Sequence, residues 1–346
     1  VDMRSVRPTP DEVRRILIVR LSSLGDIVHA LPAVHNLHAA SGAEVDWLVH
    51  PEYASLVRHC PDVTTVLEWP RHATWITYLR HVRALRARTY DLVVDLQGLL
   101  KSALPARLAR ARWRLGPSYH REGAHWFYGA VAGPRNKARH AVEENLDVVR
   151  YLSWPETPVE FPLKFSPSPA PGMPPRVAMV PAARWPTKNW PVPFFATLAW
   201  ELARRGVTVY LFGSASQEPL CVQIKEQASG HPAIHVLAGH TSLPQLGALL
   251  NRCELAITVD TGPMHLAAAL GVPVIALFGP TDPVRTGPYG PRHRVLLAPG
   301  DLHCRPCFSD QCSRGDLACL RNIFPSRVLN EALRILERRE DVSVPS

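Results

Sequence analysis

The stretch RLSSLGDIVHALP, residues 20–32, decides how this chain is read. It follows RILIV, an apolar run of strand character, and leads into IVHALPAVHNLHAA, which has helix character. A strand that turns directly into a helix is the βα step of an open parallel sheet, and such sheets bind ligands at the carboxyl ends of their strands. Asp26 stands in that turn. The residues alone leave open whether it caps the helix, holds a phosphate site open, ligates a metal or accepts a proton.

The same alternation runs outward in both directions. EVDWLVH, TTVLEW and DLVVDLQ read as further strands, and WITYLRHVRALRARTY carries apolar residues at the three-four spacing of a helix. Near residue 160 the texture changes: FPLKFSPSPAPGMPPRV is rich in Pro and Ser and continues neither a helix nor a central strand. Alternation restarts at RVAMVPA and continues through VTVYLFGS, IHVLAGH, LAITVD and PVIALFG. The expected organisation is an α/β protein of two βα domains, residues 1–163 and 177–346, joined by a Pro-rich linker at 164–176 and facing a central cleft. A last helix, SRVLNEALRILERRED, is expected to pack back on the first domain.

A chain of 346 residues, 46% apolar, suffices for two cores. No apolar run reaches the ~18–20 residues that span a bilayer, and the polar start lacks a signal-peptide core, so a cytoplasmic protein is expected. The net charge of +9 calls for an anionic partner or a solvated basic surface. Ten basic residues from Arg80 to Arg121 crowd into one region. No helix-turn-helix, zinc-finger or RNP pattern accompanies them, which disfavours nucleic acid.

The second half carries a phosphate signal. In LAITVDTGPMHLAAALG a buried strand ends at Asp260, and Thr261, Gly262 and Pro263 open a helix. Unpaired N–H groups at a helix start bind anions, glycine permits close approach, and a proline in the first turn loses nothing. Lys188, in the loop of MVPAARWPTKNWP, supplies a point charge, and LFGSASQEP places Ser214 and Glu218 at another strand end. Neither G-x-G-x-x-G nor a P-loop occurs, and no Asp-x-Asp pair is present to bridge a metal to a nucleotide sugar.

The segments RILIVRLSSLGDIVHALPAV, YDLVVDLQGLLKSAL, REGAHWFYG and VDTGPMHLAAALGVPVIALFGPTDP resemble glycosyltransferase family 9, the bacterial heptosyltransferases, and within it the type I branch. The resemblance implies the GT-B architecture of two Rossmann-like domains. It implies inverting transfer of a heptose from ADP-heptose to the Kdo of Kdo-lipid A, in lipopolysaccharide inner-core biosynthesis at the cytoplasmic face of the inner membrane. The alternatives are another acceptor, such as a second core heptose or a protein serine, or a basic protein that docks anionic lipid without chemistry. By position, Asp26 matches the catalytic base and Lys188 a lysine that stabilises the diphosphate. Asp260 matches a donor-sugar contact, with Thr261, Gly262, His265, Thr187, Ser214 and Glu218 also assigned to the donor. Ser22, Ser23, Gly25, Lys101 and Arg121 are assigned to the acceptor; Gly123 stands where the family more often has Pro after Arg-Glu. No cofactor is expected to be required for catalysis.

Of seven cysteines, Cys60, Cys221 and Cys253 stand alone. Cys304, Cys307, Cys312 and Cys319 form C-x₂-C-x₄-C-x₆-C. Four thiols so close in a chain expected to be cytoplasmic favour a structural Zn or Fe over disulfides, and the family's autotransporter branch holds iron on cysteines. The other reading is a reduced, metal-free loop.

Overall fold

The computed structural model describes residues 7–71, 74–136 and 138–340. Two compact units divide between Lys164 and Phe165. In the first, strands and helices run β1 Arg15–Val19, α1 Leu24–Ser41, β2 Glu44–Val49, α2 Pro51–Val57, β3 Thr65–Glu68, α3 Trp75–Arg86, β4 Thr89–Asp95, α4 Leu100–Leu108, β5 Arg110–Pro117, β6 Ala130–Ala132 and α5 Ala141–Leu152. The second continues β7 Arg176–Val180, α6 Val192–Ala203, β8 Thr208–Leu211, α7 Glu218–Gln227, β9 Ile234–Val236, α8 Leu243–Leu250, β10 Leu255–Val259, α9 Gly262–Ala269, β11 Val274–Leu277, α10 Pro283–Thr286, β12 Arg294–Leu296, α11 Ala318–Arg321 and α12 Pro325–Glu340.

Both sheets are wholly parallel and share one topology. The first is ordered β3-β2-β1-β4-β5-β6, the second β12-β11-β10-β7-β8-β9. Each is the doubly wound order, whose strand sequence reverses once, between β1 and β4 in one unit and between β7 and β10 in the other. At that reversal the flanking connections leave to opposite faces and open a crevice at the strands' carboxyl ends. The central strands are largely apolar, as sheets covered on both faces require: Ile16, Leu17, Ile18 and Val19 in β1 and Leu255, Ala256, Ile257 and Val259 in β10 are fully buried.

Two elements depart from the sequence reading. β5 falls inside the stretch taken as basic surface; its Arg110, Arg112 and Arg114 alternate with Ala111, Trp113 and Leu115. The last helix, α12, lies on α6, β10 and β11 of its own unit, where Val328, Ala332 and Leu336 enter the core. Its apolar stripe is accounted for there. No helix among the described residues is long and apolar enough to cross a membrane.

Gly116 shows how closely β5 is fitted. A Cβ built there would overlap the ring of Tyr128, whose hydroxyl donates to Asp95 at 2.6 Å. Gly116→Ala is therefore expected to displace the ring and cost about 1–3 kcal/mol as overpacking. The urea midpoint should fall further for Gly116→Ala than for Tyr128→Phe, which keeps the ring and loses only the hydroxyl.

Candidate active site at the two strand reversals

At the first reversal the β1–α1 turn is built around the carboxylate of Asp26. Ser23 caps α1, and its backbone N–H and hydroxyl both donate to Asp26 Oδ2, at 3.0 and 2.9 Å. Arg20 Nη2 sits 2.7 Å from Asp26 Oδ1. The helix-cap reading is thus realised, and it fixes the carboxylate's direction. Ser22 and Gly25, both buried, complete the turn.

Arg20 is itself buried and its Nη1 donates to the Leu96 carbonyl. Burial works to lower its pKa, but Asp26, Tyr119 and Asp95 around it hold it above its ordinary value. The β4 end answers β1 directly: Gln97 Oε1 accepts from Leu21 N–H at 2.8 Å. Asp95 accepts from the N–H groups of Gln97 (2.7 Å) and Gly98 (3.1 Å) and lies 2.8 Å from the Ser102 hydroxyl. Burial pushes the Asp95 carboxyl up, while these donors and Tyr128 pull the other way. Lys101, exposed on α4, and Arg121, exposed after β5, follow on the next two connections; the Arg121 N–H donates to the Gly98 carbonyl at 2.8 Å.

At the second reversal the chain brings together two residues that are 72 positions apart. Lys188 Nζ lies 2.7 Å from Asp260 Oδ2, and the Thr281 hydroxyl donates to the same oxygen at 2.7 Å. Asp260 is buried at the end of β10, and the lysine lies 4.8 Å over the Trp185 ring. The loop that delivers Lys188 is anchored by Trp190. That side chain is fully buried, edge-on to Phe194 and Phe195, and its indole N–H reaches the Ile323 carbonyl at 2.9 Å. Burying such a side chain stabilises by about 1.5–3 kcal/mol. Asn189 Oδ1 accepts from the Ala183 N–H at 2.8 Å and closes the loop on itself.

Thr261 caps α9 and Gly262 begins it, so the helix start stands directly beyond Asp260. His265 is buried on the same helix. Ser214 and Glu218 follow β8, the neighbour of β7; the Ser214 hydroxyl is 2.9 Å from Ser216 and Glu218 is 3.0 Å from His240 Nε2. Thr187 shares the short 3₁₀ turn of Lys188. It is buried, and its hydroxyl donates to the Ser309 carbonyl at 2.7 Å, which ties the Lys188 loop to the cysteine-rich segment.

The glycosyltransferase family 9 (heptosyltransferase) model matches residues 78–318, a span that contains Lys188, Asp260 and Thr281 and begins after the Asp26 turn. Lipopolysaccharide heptosyltransferase 1 of Pseudomonas aeruginosa is 34% identical over 319 residues, 86% of this chain and 87% of that protein. The chain belongs to glycosyltransferase family 9. Escherichia coli heptosyltransferase WaaC with ADP matches with a TM-score of 0.78 at 26% identity, over 93% of this chain and 99% of that one. The E. coli ADP-heptose lps heptosyltransferase II matches with a TM-score of 0.78 at 26% identity, over 94% and 99%. This family 9 chain is a glycosyltransferase of GT-B architecture.

In this glycosyltransferase the four clustered cysteines line one pocket, with Thr187, Arg314 and Asp316 also on its wall. They sense one another: burial, then Cys312, Cys307 and Cys304, push the Cys319 thiol up. Yet among the described residues no three His, Cys, Asp or Glu side chains are placed to hold a metal. Cys307 is exposed, whereas Cys319 is partly buried beside Gly279. The four thiols thus share one pocket wall without forming a three-ligand group as placed. The loop braces the site through Thr187–Ser309 and through the Phe308 N–H, which donates to the Pro280 carbonyl beside Thr281.

The Leu317 N–H, with those of Arg314 and Gly315, holds the Cys312 thiol below its ordinary value. Burial pushes Cys60, Cys221 and Cys253 up to about 12. Because the thiolate is the nucleophile, a lowered pKa means reaction at lower pH. Iodoacetamide at neutral pH should label Cys312 before Cys319, and leave Cys60, Cys221 and Cys253 unmodified until the chain is unfolded. Peptide mass spectrometry reads the order; equal labelling of Cys312 and Cys319 would contradict this account.

Proposed function

We propose that this glycosyltransferase moves a heptose from ADP-heptose to the Kdo of Kdo-lipid A, with inversion at the anomeric carbon. Heptose transfer in lipopolysaccharide core synthesis follows from the family and from the heptosyltransferase relatives. The finer reading of donor and acceptor is supported by the similarity to heptosyltransferase 1 and to a heptosyltransferase with ADP bound. It places the work at the cytoplasmic face of the inner membrane, where such an acceptor lies.

The observation that carries the chemistry is the Lys188–Asp260–Thr281 group beside the start of α9. In the proposed reaction an acceptor hydroxyl oxygen attacks the anomeric carbon, and Asp26 accepts its proton. The bond from that carbon to the diphosphate breaks, and ADP leaves with the electron pair. Charge grows on the departing diphosphate, and stabilising that growth is where preorganised donors are worth most. Lys188 supplies a full charge and the α9 N–H groups a partial one. Asp260, which engages Lys188, acts first as the residue that positions it. No step is assigned to a cofactor.

Incubation with ADP-heptose and Kdo₂-lipid A, followed by ADP release, tests the reading. Asp26→Asn retains an oxygen for the Ser23 cap but not the base, and should lower kcat by about 10²–10⁴-fold with ADP affinity unchanged. Equal rates for both proteins would remove Asp26 from the base role. ADP release only with an already heptosylated core acceptor would move the acceptor assignment.

A further inference from the structure

Seven large apolar side chains of the first unit are exposed among the described residues, and six of them fall on three elements linked through α4. Trp75, Ile76 and Leu79 lie on α3, Leu100 and Leu104 on α4, and Trp126 on the short 3₁₀ helix Ala124–Phe127. α3 packs on α4, and α4 on that short helix. Exposure reaches 72% at Trp75, 64% at Ile76 and 82% at Trp126.

The inner face of α3 is already satisfied. Leu85 is buried, and Tyr78 and Val82 pack on the cluster of Leu17, Val19, Leu48 and Trp69. The outer face repeats two residue types. At 3.6 residues per turn, Trp75, Arg86, Leu79, Arg83, Ile76 and Arg80 share an arc of about 140°, and all six are exposed. On α4 the exposed Leu100, Lys101, Leu104 and Arg107 continue the pattern. Neither helix contains Asp or Glu. A solvated basic face has no use for two tryptophans and an isoleucine, and with no carboxylate on either helix the cations are left to anions from outside. Apolar side chains interleaved with cations fit the boundary of an anionic bilayer, where rings and aliphatic chains enter between headgroups and arginines reach back to phosphates.

We infer that the α3–α4 face, with Trp126, is a membrane-docking surface that inserts Trp75, Ile76 and Leu79 into an anionic lipid layer. The inference deepens the proposed function, which puts the acceptor in such a layer, but changes the mode of attachment: apolar insertion holds the enzyme, and charge alone does not.

Flotation with vesicles of phosphatidylethanolamine and phosphatidylglycerol, against vesicles of phosphatidylcholine, tests it. The full chain should float with the anionic vesicles and stay partly bound in 0.5 M NaCl, a concentration chosen because it screens exposed charge to within about 5 Å. The triple variant Trp75→Ser, Ile76→Ser, Leu79→Ser should lose about tenfold or more of its partitioning, and salt should remove the remainder. Its circular dichroism and thermal midpoint should match the parent, because the three side chains are exposed. Arg80→Gln with Arg83→Gln should weaken binding to the anionic vesicles only. Three outcomes would overturn the inference: complete release of the parent by salt, undiminished flotation of the triple variant, or concentration-dependent dimers that the triple variant abolishes. Flotation is read without substrate, so its failure is separate from a failure to release ADP.

Discussion

The ion pair between Lys188 and Asp260 is the constraint around which the second unit is arranged. The Asp260 carboxylate is buried and Lys188 partly so, and removing one partner of such a pair is destabilising. Keeping the pair together requires β7 and β10 to be neighbours, which the doubly wound order provides. It requires the Lys188 loop to hold still, which Trp190 and Asn189 ensure. It also requires Asp260 to be fixed from a third side, by Thr281 after β11. An ammonium has three donors and Asp260 takes one. What remains is a cation held in place before any anion arrives, and such a group need not reorganise when charge develops.

The first unit solves a related problem with opposite sign. Asp26 belongs to a helix start, where a carboxylate is already favoured by the cap and the dipole. Arg20 holds its other oxygen, and the arginine is in turn surrounded by Leu96, Asp95 and Tyr119. Cap and base are therefore compatible uses of one side chain. The bonds that make Asp26 a good cap are the bonds that would aim it at an acceptor hydroxyl.

Much of this was legible in the residues because local chemistry writes itself locally. A β-to-α turn through Gly and Asp, an apolar run ending in Asp-Thr-Gly-Pro and a Pro-rich interruption near residue 164 need no knowledge of tertiary neighbours. What stayed hidden depends on neighbours. The pairing of Lys188 with Asp260 follows from strand order, which a sequence does not state. Asp95 reads as one more residue of a strand until Tyr128 and Ser102 converge on it. β5 was obscured because its arginines alternate, and Arg114 spends its guanidinium on the carbonyls of Ala106, Ala109 and Ala111. The cysteine spacing gave a ligand count, but ligand convergence is a property of the loop path. The four thiols line one pocket, and the loop's contacts run to Thr187 and Pro280.

α4 joins the two halves of the functional proposal. Its first turn lies beyond the Asp95 network, and its Ser102 reaches that carboxylate from the buried side. On the opposite side the same helix presents Leu100, Lys101 and Leu104 to solvent. A residue assigned to the acceptor thus stands between two exposed leucines, on a helix whose other face supports the strand reversal. A lipid-linked acceptor needs its sugar to reach a polar site while its chains stay in the bilayer. One helix with a hydrogen-bonded inner face and an apolar, basic outer face meets both requirements over a single turn. That arrangement explains why the basic residues of this region need not be a diffuse electrostatic patch: their neighbours give them a surface to work on.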